Sequence, residues 1–154
     1  MSKKCYAVIT LLILIVAVDV FRIFFQTAEQ ESPDGRMTIH LNADERDAVL
    51  AEMRAFLTSV QLITKGAAEN DMELVAEFAR KSGKAAQAEM PATLPEKLPE
   101  KFRQLGFDTH TKFDQLAMDA LDLEDSNHVL SQLSSLMENC TSCHAMYSIT
   151  LADE

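Results

Sequence analysis

"VLSQLSSLMENCTSCHAMY", residues 129–147, carries Val129, Leu133, Leu136, Met137, Cys140, Cys143, His144 and Tyr147 at steps of three and four. That spacing puts all eight on one side of an α-helix and predicts that this side is covered. The upstream sequence offers three helices to cover it. In residues 41–66, "LNADERDAVLAEMRAFLTSVQLITKG", the residues Val49, Leu50, Met53, Phe56, Leu57, Val60 and Ile63 recur with the same period. Asn42 or Asp44 can cap the start of that helix and Gly66 can end it. A second helix is expected behind Asn70 or Asp71, with a narrower stripe of Met72, Val75, Phe78 and Ala79; Gly83 weakens the pattern beyond it. A third runs from about Asp108 to Leu123 with Phe113, Leu116, Ala117, Ala120 and Leu121 inward. Pro91, Pro95 and Pro99 forbid a regular helix between the second and third and mark a long crossover. Short links at Gly66 and at "EDSN" (124–127) complete the pattern of an all-α four-helix bundle over residues 42–150.

Composition agrees with that class. Four glycines, four prolines and no tryptophan in 154 residues, 47% of them hydrophobic, favour helices over a turn-rich sandwich. The net charge is −10 although Lys3, Lys4 and Arg22 lie in the N-terminal segment, so the remainder is more acidic still. This argues against nucleic acid as a partner and points to proteins with basic docking surfaces.

Residues 1–25 read as a single N-terminal transmembrane helix preceding the bundle. The apolar run from Cys5 to Phe25 is broken only by Asp19 and Arg22. Its 21 residues span roughly 31 Å as a helix, close to the ~30 Å hydrocarbon thickness. "FRIFFQTAEQ" lacks the small residues of a cleavage site, which favours an uncleaved inner-membrane anchor over a removed leader and a free periplasmic protein. Lys3 and Lys4 hold the N-terminus in the cytoplasm, so the rest faces the periplasm or cell exterior. Residues 26–41, with the turn Pro33-Asp34-Gly35, are expected to be a linker.

Cys140, Cys143 and His144 form C-x-x-C-H, and on a helix all three project from one side. This is the attachment signature of c-type haem: one covalent haem c, with two thioethers fixing the porphyrin and the imidazole of His144 on iron. A thiol redox pair or part of a zinc site are the other readings of a C-x-x-C. A redox pair belongs at the start of a helix in a βαβ fold, whereas this one ends a helix. A zinc site needs further ligands, and His40, His110 and His128 come from scattered positions.

With "CTSCHAMY" near the C-terminus and "ERDAVLAEM" through "TKG" as its first helix, the chain resembles cytochrome c prime and its low-spin class II relatives over roughly residues 42–148. The resemblance implies a monohaem protein that carries electrons rather than an enzyme. It places Arg46 near the haem propionates, Leu50 over the distal face of the iron, and Tyr147 as the aromatic after the motif. A methionine at the Leu50 position makes low-spin carriers, so Leu50 implies a five-coordinate iron and, as the alternative function, binding of nitric oxide or carbon monoxide. Met53, one turn along, is a second candidate for the sixth ligand, and His40 a more distant one; Met137 is expected to wall the haem pocket. Ser148 departs from the basic residue that usually follows the aromatic. Homodimerisation through the first two helices is also implied.

Overall fold

The computed structural model describes residues 10–18 and 30–152. Strand β1 (Gln30–Glu31) turns back into β2 (Met37–Leu41), and α1 (Ala43–Glu69) and α2 (Met72–Lys81) follow. A 3-10 segment (Lys84–Glu89) and the single turn α3 (Leu94–Lys97) lead to α4 (Glu100–Leu123). Then come α5 (Ser126–Met146) and β3 (Tyr147–Leu151). The chain is mostly helical, in keeping with the expected class. Helix α1 packs on α2, α2 on α4, α4 on α5, and α5 back on α1.

Local chemistry sets the helix ends. Asn42 closes a capping box with Glu45: the Glu45 N–H donates to Asn42 Oδ1 at 2.9 Å and the Asn42 N–H to Glu45 Oε2 at 3.2 Å. Glu45 is buried, and it also accepts from Thr93 Oγ1 at 2.9 Å and Lys97 Nζ at 2.8 Å. The hydrogen bond from Lys97 holds its carboxyl below the usual range against the opposing effect of burial, and ties the proline-rich crossover to the first turn of α1. Asp71 and Asp125 cap α2 and α5 through their carboxylates. Helix α4 starts at Glu100, two turns before the expected Asp108, because Pro99 is accommodated as its N-cap.

Gly66 does not end α1, which continues to Glu69 and closes on Asn70 in a left-handed conformation, φ 56°. The glycine is needed instead for the close approach of α2. A Cβ there would lie 2.8 Å from Val75 Cγ2 and 2.9 Å from the Asp71 carbonyl oxygen.

The interior has two parts. The first, between α1, α2, α4 and α5, contains Ile63, Val75, Ala79, Phe113, Leu116 and Leu136, with Phe56 stacked on Phe113 at 5.5 Å. Leu57 and Leu121 were expected in this stripe but are 70% and 40% exposed. Each follows the residue that takes the inward position, Phe56 or Ala120, and a step of 100° carries it off the face.

The second part forms where α2 ends. Ser82 stops that helix; its carbonyl accepts from His110 Nδ1 at 2.8 Å, and its hydroxyl donates to Ser59 Oγ at 2.8 Å. His110 Nε2 faces Glu52 Oε1 at 3.3 Å. Beyond this network Val49, Leu94, Ile39, Leu41 and Tyr147 make a separate cluster. Two of these come from residues 26–41. Within that expected linker, Met37–Leu41 is a strand pairing in parallel with β3, Met37 opposite Tyr147 and Leu41 opposite Leu151, while β1 adds antiparallel to its other edge. Ile39 and Leu41 point inward and His40 outward, the alternation of a half-buried strand.

Of the expected membrane-spanning segment, residues 10–18 are helical with exposed side chains, and the rest of 1–25 lies outside the described residues. Among the described residues no helix is long and apolar enough to cross a membrane, so the single-pass span expected for 1–25 does not appear among them.

Two stability tests follow from this packing. Gly66→Ala should lower unfolding free energy by about 1–2 kcal/mol in urea melts, because the clash with a backbone oxygen outweighs the gain of up to ~1 kcal/mol in helix propensity. The imidazole of His110 is disfavoured as a cation by burial, but Glu52 and the Ser82 and Gly83 carbonyls outweigh this and raise its pKa above 6.5. Its stabilising contribution is therefore full below pH ~6.5 and disappears as pH rises through the folded pKa. Urea melts between pH 6 and 9 should show this fall, and Glu52→Gln should flatten it.

Candidate functional site

The last two turns of α5 carry Cys140, Cys143 and His144, and the backbone leaves the helix directly for β3: Tyr147 has φ −126° and ψ 145°, and its N–H donates to the Cys143 carbonyl. A helix that ends this way needs no loop, so the motif lies at the junction of helix and sheet. There it borders a cavity of about 260 Å³ lined by Arg36, Leu50, Met53, Phe102, Cys143, His144, Tyr147, Ser148 and Ile149. Residues from the start of α1, the start of α4, the end of α5, strand β3 and the turn before β2 thus meet around one space.

Most of the expected site residues converge. Leu50 and Met53, half-buried on α1, line the cavity together with Cys143 and His144 from α5. Tyr147 is 7% exposed and meets Phe102 edge-on, centroids 5.4 Å apart, which fixes one wall. His144 is exposed and belongs to the last turn. Cys140 is half-buried one turn earlier and packs against the helical core rather than lining the cavity.

Three expectations differ. Met137 is 42% exposed and does not line the cavity, because its neighbour Leu136 takes the inward position and the cavity begins two turns further on. Arg46 does not line the cavity either; it extends from the first turn of α1 and faces Asp47 at 3.5 Å. His40 is outside on the sheet, within 3.1 Å of Thr150 Oγ1. Phe56 and Phe113 are core residues of the helical part.

Three lining residues were not foreseen. Ile149 comes with the unexpected strand β3 and Arg36 with the segment read as linker, while Ser148, already singled out after Tyr147, lines the cavity too. Phe102 precedes the expected start of the third helix; its signal was the spacing of Leu98, Phe102 and Leu105 across Pro99.

Both cysteines are free thiols. Burial pushes Cys140 up, and burial together with the neighbouring Cys140 pushes Cys143 up to about 11. Thiolate chemistry at neutral pH wants the reverse, a helix N-terminus or nearby cation that stabilises the anion. Among the described residues, no group of three or more His, Cys, Asp or Glu side chains converges as a metal cage. The donor set is instead one imidazole and one thioether, His144 and Met53, with apolar walls of Leu50, Phe102 and Ile149. Such walls suit a flat aromatic macrocycle, and a protonated thiol in the wall suits thioether attachment.

No family model, curated protein or solved structure matches the chain.

Proposed function

We propose that the chain is a monohaem c-type cytochrome of the class II kind, a four-helix bundle that carries single electrons. The observation that carries this reading is the meeting of Cys143 and His144 with Met53 and Leu50 around one largely apolar cavity. Cys140 and Cys143 would hold the haem covalently and His144 would be its proximal iron ligand. The haem supplies a one-electron couple; the surrounding residues keep water from it and set its potential through ligand and dielectric.

Of the two cavity residues contributed by α1, only Met53 has an atom that can ligate iron. A thioether is a soft donor that favours the reduced state, as an electron carrier requires. Leu50 then packs on the porphyrin. The N-terminal run 5–25 would anchor the domain at the inner membrane, with the haem in the periplasm and redox partners meeting it through basic surfaces.

Produced with c-type haem maturation, the protein should gain one haem in mass, and the gain should be lost in Cys140→Ala/Cys143→Ala. The ferrous spectrum should be low-spin and indifferent to carbon monoxide. Met53→Leu should turn it high-spin and carbon monoxide-reactive, while Leu50→Ala should leave it low-spin. A wild-type spectrum that changes readily with the gas would reverse the assignment and favour the gas-binding alternative.

A further inference from the structure

Among the described residues, Arg36 is the only side chain lining the cavity, apart from His144, that can carry positive charge. It comes from the turn before β2, a segment with no apolar periodicity. Its guanidinium is nonetheless fully engaged. Nη1 donates to the carbonyl oxygens of His144, in the last turn of α5, at 3.4 Å and of Tyr147, the first residue of β3, at 3.2 Å. Nε and Nη2 donate to Asp34 Oδ2 at 2.8 Å and 2.7 Å. Asp34 also accepts from the Arg36 backbone N–H at 3.2 Å, so the carboxylate is set by the turn itself. A planar fork satisfied on both edges leaves the guanidinium little freedom to turn away.

We propose that Arg36 is a positioning and charge-setting residue of the haem site: it holds the backbone of the iron-ligating His144 and keeps a cation, part-neutralised by Asp34, beside the cavity. The proposal rests on the haem reading. A fixed positive charge favours the reduced form of the couple, which carries one positive charge fewer, and so raises the reduction potential; the carboxylate of Asp34 acts in the opposite sense. Both groups keep their charge around neutral pH, since the hydrogen bonds from Arg36 hold Asp34 at about 2. Arg36 is 36% exposed and Asp34 53%, so the effect is screened and should shrink as salt is added.

The test is a spectroelectrochemical titration of the full-length holoprotein at pH 7 in low salt. Arg36→Gln should lower the potential and Asp34→Asn should raise it, each by a several-fold shift in the one-electron equilibrium constant, where tenfold is 59 mV. Arg36→Lys keeps the charge and should stay near the wild type. Lys81→Gln and Glu77→Gln, an ion pair on α2 away from the cavity, should leave the potential where it was. If Arg36 serves only to hold the helix end, Arg36→Lys will shift as Arg36→Gln does, and Asp34→Asn will fail to raise the potential; either result overturns the proposal. Should Arg36→Gln not accumulate, the sign of the Asp34→Asn shift decides alone. A wild-type chain that emerges from maturation without haem overturns the haem reading and this inference together, whereas haem present with unmoved potentials overturns only the inference.

Discussion

The architecture depends on one mismatch of length. Helix α1 has 27 residues, about 40 Å, and α2, which covers part of it, has ten, about 15 Å. The C-terminal half of α1 therefore has helical neighbours on both sides, and its N-terminal half does not. Where α2 stops, the protein must still cover Val49, Leu50 and Met53, and it does so with a strand pair, the turn α3 and the start of α4. Those elements do not fill the space as a helix would, and the cavity is what remains.

The stop itself is a buried polar arrangement. The Ser82 carbonyl, orphaned by the helix end, is taken by His110, and Glu52 compensates the imidazole from the other side. Because every member has a partner, the network can sit between two apolar clusters without leaving a polar group unsatisfied. It fixes the boundary between the packed helical part and the part that contains the cavity. Phe56, edge-on to His110 at 5.1 Å, closes the boundary from the helical side.

On the cavity side, the parallel pairing of Met37–Leu41 with Tyr147–Leu151 brings the two ends of the domain together. Parallel neighbours require a crossover, and here the crossover is the whole helical domain. The strand pair consequently couples the N-terminal segment to the end of α5, whose last two turns hold Cys140, Cys143 and His144.

Much of this was legible from periodicity. Helices α1, α2 and α5 and the caps at Asn42 and Asp71 follow from local patterns, because capping and amphipathic spacing are decided within a few residues. The convergence of Leu50, Met53, Cys143 and His144 was anticipated through a family resemblance resting on the motif. Three misplaced stripe residues share one cause. Leu57, Leu121 and Met137 each adjoin a residue on the same stripe, and only packing decides which of two neighbours faces in. Pattern also could not show that "MTIHL" and "YSITL" are strands, since neither is stable until it meets the other across more than 100 residues. The sequence by itself determined the helices and the caps at Asn42 and Asp71, because these are decided within a few residues. Tertiary structure alone decided the cavity and brought Arg36, Phe102 and Ile149 to it, because their positions depend on contacts between segments that no local period encodes.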